Sequence, residues 1–365
     1  MTIQALRATD FWGGRHAGDG RNAAPARPTL KTLAQATGLA VATVSRALAD
    51  APDLRPDTKA LVRRVAAEMG YVPNRAGLRL RTGRTQVIAL VIGTEQSVMN
   101  NTAQLIVSLA AGLRGTPYHL NMTPVLRGED PLRPIRHIVE NGLADAVIFN
   151  QTRPRDPRVA WLMERGFPFA THGRTIWSDR HPWADYDNEA FGALAVRRLL
   201  ARGRKRIALL APPLEQTYAR AFVRGATAAA EAAAAADPGI SLRLLRGITS
   251  DSPGAEVQAA LERAFARGAD GLVSASSAGG MAAVAALEAR GLLLGRDADI
   301  VAKEAIPFLS LFRRDLIVLR EDVERAGTVL ARAAIRAITE PDAPPLQDLE
   351  VPADDELQDQ GEPRT

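Results

Sequence analysis

At 365 residues the chain can hold two or three domains, each with its own core. Its hydrophobic content of 46% and charged content of 24% are those of an ordinary soluble globular protein. It contains no cysteine, which excludes disulfides, thiolate metal sites and a cysteine nucleophile. No apolar run approaches the ~18 residues that span a bilayer.

In chain order, residues 1–26 are rich in Gly, Arg, Ala and Asn and lack the apolar segment of a secretory signal. They are expected to be a disordered leader. The net charge of +5 then divides unevenly. Residues 27–84 carry +7, and everything after them sums to about −3. A small basic module ahead of a mildly acidic body points to a polyanionic partner for that module.

Three short helices are expected inside it. The first, Leu30 to Thr37, places Leu30, Leu33 and Ala34 on one face, with Thr29 as N-cap. Gly38 can adopt the positive φ of a sharp turn between crossing helices. In the second helix Val41, Val44 and Leu48 share the face expected to turn to the core, leaving Ala42, Thr43, Ser45, Arg46 and Ala49 on the others. The third helix starts near Pro56 and ends near Gly70, with Leu61, Val62 and Val65 inward. A helix, a glycine turn and a second helix on a basic background is a helix-turn-helix arrangement, whose second helix enters the DNA major groove.

The stretch from Thr29 to Thr85, with "VATVSRAL" and then "GYVPN", closely resembles the DNA-binding headpiece of the LacI/GalR family of transcriptional regulators. The resemblance implies that Val41 and Ala42 touch base edges, that Arg46 reads a base, and that Thr43 and Ser45 hold phosphates. An arginine can bond guanine O6 and N7 together; hydroxyls on phosphates fix register. The competing reading of Arg46 is a surface arginine paired with Asp50. The sequence departs from the family at Ala40, where a serine usually caps the recognition helix, at Ala49 in place of an asparagine, and at Arg55 in place of a capping serine. Arg55 could then contact a phosphate, and Thr29 and Asn74 complete the DNA-contact set.

The segment "PNRAGLRLRTGRT" has no apolar stripe long enough for stable structure by itself. In the resembling family it is a hinge helix that orders on DNA in a dimer and wedges a leucine into the minor groove. Leu80 holds that place, with Arg75, Arg79, Arg81 and Arg84 tracking phosphates.

After Arg84, strand-like runs alternate with helical stretches: "QVIALVIG", "HLNMTPV", "DAVIFN", "FPFATHG", "RIALLAP", "ISLRLL", "GLVSAS", "DIVAKEA" and "LIVLRE". Repeated strand–helix units imply parallel sheets covered by helices. Nine strands with a seam near 173–187 suggest two sheets. The expected fold is thus a small all-α helix-turn-helix domain at 27–73, a hinge helix or linker at 74–84, and a two-lobed α/β domain at 85–353 resembling periplasmic binding proteins. One lobe is expected at about 85–186 plus 316–341, the other at about 187–315 plus 345–353, and residues 354–365 as a disordered acidic tail.

Ligands of parallel sheets bind beyond the carboxyl ends of strands. Strand ends offer Glu95 and Gln96, Asn150, then His172, Arg174, Trp177, Trp183, Asp185, Asp187 and Asn188, then Tyr218 and Arg220, Ser276 and Ser277, and Lys303 and Glu304. Asp, Asn, Arg and Trp together suit a polyhydroxyl ligand. The effector-contact set is Glu95, Asn150, His172, Arg174, Trp183, Asp185, Arg220, Ser276 and Glu304. Where the family carries "ND" this chain has Ser276–Ser277. Where it carries "GFDD" there are Ala302, Lys303, Glu304 and Ala305, so Glu304 would stand for an effector-binding aspartate. A family arginine is replaced by Phe222, leaving Arg220 as the cationic contact.

Phosphate-binding loop, dinucleotide, serine-hydrolase and zinc-protease motifs are absent, and the five histidines lack metal spacing. His172 and His181 near Asp179 and Asp185 read more readily as ligand-bonding or solvated groups than as an acid–base pair. The expectation is a cytoplasmic, nucleoid-associated regulator, not an enzyme, needing no cofactor or metal. It would be a repressor of sugar uptake or catabolism genes that binds a palindromic operator as a homodimer and is released by a sugar-like effector. The alternative is a solute-binding protein of the same two-lobe fold, without DNA regulation.

Overall fold

The computed structural model describes residues 28–72, 79, 83–93 and 99–353. The expected leader and acidic tail, and Asn74, Arg75, Leu80, Arg81 and Glu95, lie outside the described residues. The chain divides into two compact units, Met1–Gly83 and Arg84–Thr365.

The first unit holds α1 (Leu30–Thr37), α2 (Val41–Leu48) and α3 (Pro56–Glu68). Thr29 caps α1 reciprocally: its Oγ1 accepts the Thr32 amide at 3.2 Å, and its own amide donates to Thr32 Oγ1 at 2.7 Å. Gly38 ends α1 at φ +68°, a left-handed conformation that a Cβ would strain. Leu33, Ala34, Val44, Ala47, Val62 and Ala66 form the core, with Leu48, Leu54 and Tyr71 packed around it. The expectation that Val41 faces inward fails. It is 44% exposed, and Ala47 takes the buried place, because the 100° step per residue puts positions 44 and 47 nearest the centre of the contact.

The second unit contains two parallel sheets. Their elements are β1 (Val87–Gly93), α4 (Met99–Gly112), β2 (His119–Val125), α5 (Leu132–Glu140), β3 (Ala146–Phe149), α6 (Pro157–Glu164), β4 (Phe169–His172), β5 (Trp183–Tyr186), α7 (Asn188–Ala201), β6 (Arg206–Leu210), α8 (Thr217–Ala234), β7 (Ser241–Leu244), α9 (Gly254–Ala266), β8 (Gly271–Ser274), α10 (Ser277–Glu288), β9 (Asp299–Glu304), α11 (Leu309–Phe312), β10 (Ile317–Arg320), α12 (Val323–Thr339) and β11 (Gln347–Glu350). The strand orders are β11-β5-β4-β3-β1-β2 and β10-β9-β8-β6-β7. Runs such as "VIALVIG" and "GLVS" are buried almost throughout, as strands covered on both faces must be. Apolar clusters lie on both sides of each sheet.

Three features depart from the sequence reading. Trp183–Tyr186 forms a strand in the first sheet, so the expected seam contains β5 and the crossing itself falls at Asp187. Residues 345–353 were expected in the second lobe, yet β11 pairs with β5, with Gln347 beside Trp183 and Glu350 beside Tyr186. Residues 316–341 were expected in the first, yet β10 pairs with β9 in the second sheet and only α12 packs on the first. Each misplaced strand is four residues long and fits any free parallel edge; the partner that supplies backbone hydrogen bonds decides its sheet. Helix α5, between the second and third strand runs, buries Leu132, Ile135 and Ile138.

The crossings lie side by side. Asp187 N donates to Glu350 O at 2.7 Å, and Asp322 N donates to Glu350 Oε1 at 2.9 Å. This is how one chain serves two sheets: short backbone spans tied to a third strand end.

Candidate DNA-binding surface and ligand cleft

In the first unit the exposed edge of α2 is the surface of interest. Val44 and Ala47 anchor the helix to the core, and the same 3.6-residue period turns Val41, Ala42, Arg46 and Ala49 outward, with Thr43 and Ser45 half-buried beside them. Ala40 gives α2 no side-chain cap, so its first amides face outward unbonded to any capping oxygen, which favours an anion there. Arg46 pairs with Asp53, not with Asp50. Asp50 instead holds Lys59 at 3.2 Å and Arg63 at 2.6 Å. Both partners of the Arg46 pair are more than half exposed, so the guanidinium can exchange Asp53 for another acceptor. Thr29 and Arg55 stand exposed ahead of α1 and α3, and Arg55 makes no side-chain cap. Arg79 is described, and is exposed.

In the second unit a cavity lies at the carboxyl ends of both sheets. From the first sheet come Asn150 after β3, His172 at the end of β4 and Asp185 in β5; from the second come Ser276 after β8 and Lys303 in β9. Asn188 at the start of α7, Tyr218 on α8, Thr102 on α4 and Glu321 after β10 complete the wall. Among the described residues Thr102 Oγ1 and Asn150 Oδ1 are buried without a hydrogen-bond partner, the condition of groups that await a polar ligand or water.

The loops that present these groups are held from behind. Asp156 caps α6 and chelates Arg158, with Arg158 Nη2 at 2.7 Å from Asp156 Oδ2 and also donating to Gln151 O at 3.0 Å. Gln151 itself sits at φ +53°, a strained conformation for a non-glycine residue. A buried chain of polar groups crosses the floor. Lys303 Nζ lies 2.6 Å from Glu321 Oε2 and donates to Asn188 Oδ1 at 3.0 Å, and His172 Nε2 stands 3.5 Å from Glu321 Oε1. Burial alone would raise the Glu321 pKa, but the Lys303 charge and His172 outweigh it and hold the carboxyl at about 2. Asp185 differs: burial raises its pKa despite Arg174 Nε at 2.7 Å.

Of the expected effector residues, Asn150, His172, Asp185 and Ser276 line this cavity. Ser276 also caps α10 by accepting the Gly279 amide at 3.1 Å. Arg174 and Arg220 border an adjoining open groove. Glu304 is a correction: it turns away, and its Oε1 accepts the amides of Phe308 at 2.6 Å and of Leu309. Adjacent residues of a strand point to opposite faces, so with Lys303 in the cavity Glu304 cannot be. Trp183 is a second correction. It is buried, and its indole donates to Ser178 O at 2.9 Å, outside the cavity wall. His181 is enclosed between Thr175 Oγ1 at 2.9 Å and Pro182 O at 3.0 Å, and burial lowers its pKa; it serves packing. Glu321 was missed, although it follows the strand "LIVLR" and the strand-end rule would have found it. Thr102, on a helix, carries no such signal.

The geometry defines a class: a helix-turn-helix unit with an exposed recognition edge, in one chain with a two-sheet, cleft-bearing ligand domain. Residues 29–74 match the family described as bacterial regulatory proteins, lacI family, and residues 196–355 match a periplasmic binding protein-like domain. The chain is 30% identical to the HTH-type transcriptional regulator AglR of Rhizobium meliloti (strain 1021), over 88% of this chain and 90% of that one. It is 31% identical to the HTH-type transcriptional regulator RafR of Escherichia coli, over 79% and 85%. The fold is that of the lac repressor dimer bound to operator and the anti-inducer ONPF, with a TM-score of 0.76, 18% identity, and coverage of 90% of this chain and 97% of that one. The transcriptional regulator CelR–cellobiose complex aligns at TM-score 0.64 and 24% identity, over 90% and 98%.

The chain belongs to the lacI family of bacterial regulatory proteins and is a DNA-binding transcriptional regulator. Because the similarity runs through the DNA-binding unit, the solute-binding alternative finds no support. Among the described residues no helix is long and apolar enough to cross a membrane.

Proposed function

We propose that this regulator is a repressor that binds a palindromic operator as a homodimer and is released when an uncharged sugar or glycoside enters the cleft. It would act in the cytoplasm, on genes of sugar uptake or catabolism, without catalysing a reaction. The observation that carries the effector reading is the cavity at the carboxyl ends of both sheets, with Thr102 Oγ1 and Asn150 Oδ1 unpartnered among the described residues and the charges of Lys303 and Asp185 balanced by Glu321 and Arg174. A ligand there contacts both sheets at once, so it has differential affinity for open and closed arrangements of the lobes, which is what allosteric release requires.

On the DNA side, Val41, Ala42 and Arg46 read bases, while Thr29, Thr43, Ser45 and Arg55 fix the backbone. The segment 74–84, with Asn74, Arg75, Arg79 and Arg81 around Leu80, orders on the operator and bends it. The resemblance of this stretch to the family supports that part.

Gel shifts with the DNA flanking the chain's own coding region, with and without sugars, test the reading. Specific binding that a sugar relieves is expected. Binding to no flanking sequence, or release by no sugar, overturns it.

A further inference from the structure

We propose that the Gln151–Thr152 loop is a clasp that holds the two lobes closed before any ligand enters, by bonding its backbone to the first turn of α8. The clasp sets the resting arrangement of the lobes, whatever the ligand is.

It is built in the first lobe, at the carboxyl end of β3. Gln151 stands at φ +53°, a conformation that is strained in a residue with a Cβ and persists only where its surroundings impose it. Here they do. Arg158 Nη2, fixed 2.7 Å from Asp156 Oδ2, also donates to Gln151 O at 3.0 Å, and both side chains of that ion pair are buried. Thr152 is fixed in turn. It is 2% exposed, and its Oγ1 donates to Arg174 O at 2.9 Å.

One bond of this loop then leaves the lobe. Thr152 O accepts the amide of Thr217 at 2.8 Å. Thr217 opens α8, which packs on the second sheet through Phe222, Ala226 and Ala230, so the bond joins the lobes. The first amides of a helix have no partner within it, and Gln216 gives α8 no side-chain cap. The first lobe therefore supplies the cap that α8 lacks. Because the loop is held rigid from behind, little freedom is lost when its carbonyl meets α8. A ligand then enters through the fraction of molecules in which the clasp is released, and its apparent affinity falls by that fraction.

Thr217→Pro removes the bonding amide at the first position of a helix, where proline is accommodated. Gln216 already has the extended φ of −83° and ψ of 142° that a following proline imposes. Thr217→Ala keeps the amide and is the control. The chain contains no cysteine, so Arg127→Cys and Arg246→Cys can carry a donor and an acceptor dye. Both positions are exposed, just after the edge strands β2 and β7 of opposite lobes. Labelled chain is diluted into excess unlabelled chain, so that energy transfer stays within one protomer. Thr217→Pro is expected to raise the open population several-fold, and Thr217→Ala to leave it as it is. Without substitution at Thr217, its amide is expected to exchange at least about tenfold more slowly than an unprotected one, since no bond within α8 shields it. Transfer unchanged by Thr217→Pro, or equal opening in Thr217→Ala, overturns the clasp. So does a Thr217 amide that exchanges unprotected, a result that depends on no variant folding.

Discussion

Arg46 is bound to Asp53 in the free protein and has to leave it to reach a base. If it reads a guanine, Arg46→Ala will cost about 1–3 kcal/mol at one base pair and relax preference there. Titration against single-substitution operators measures this, and a uniform loss over all sequences refutes base reading. Glu321 sets a second expectation. Its pKa is held at about 2 by Lys303 and His172 against the opposing effect of burial. A depressed carboxylate contributes stability that is full above its unfolded value near 4.5 and is lost as pH falls toward 2, on the order of 3 kcal/mol in all. Urea midpoints should therefore fall between pH 5 and pH 2.5, and less steeply in Glu321→Gln. That variant should itself lose about 3–5 kcal/mol at pH 7, because it leaves Lys303 buried and unpaired. A midpoint indifferent to the substitution would remove the ion pair from the account.

At the level of elements, one helix end and one helix contact set expectations. The α2 helix begins at Ala40 with no capping side chain. Ala40→Ser should add about 1 kcal/mol to its stability, visible as slower amide exchange at Val44 and Ser45; unchanged exchange would mean that this helix end is held by something else. The α7–α8 pair depends on Gly225. A Cβ there would stand 1.9 Å from Glu189 O, so Gly225→Ala must force the helices apart. A loss of at least about 2 kcal/mol is expected, with the thermal midpoint as readout. A neutral substitution would show that this packing is looser than drawn. Because α7 and α8 carry Asn188 and Tyr218, the same change should weaken ligand binding.

For the whole molecule, the division of charge matters more than its sum. The +7 of residues 27–84 against about −3 thereafter favours phosphate contact by the first unit over the second. The logarithm of operator affinity should then fall linearly with the logarithm of salt, by about 0.9 per phosphate neutralised. Removing Arg55 should reduce that slope by about one and leave base preference unchanged, whereas a salt-insensitive complex would count against the charge argument. A cleft ligand should also raise the unfolding free energy of the second unit by about 2.7 kcal/mol at a hundred times its Kd.

How much of this was legible in the chain follows from the range of the forces. The three headpiece helices, the strand–helix alternation and the outward edge of α2 follow from local periodicity, caps and turn residues, and these act over a few positions. The strand-end rule reached Asn150, His172 and Ser276 for the same reason, since each follows or ends a recognisable apolar run, whereas Asp185 was reached only as part of the long stretch after "FPFATHG" and stands inside β5. Sheet membership of β10 and β11 was not legible, because four-residue strands carry no address and only long-range pairing supplies one. Nor was the choice between Lys303 and Glu304 legible. Their order in the sequence is fixed, but which of two neighbours faces the cavity depends on Glu321, Asn188 and the amides after β9, all brought to them by the folded chain.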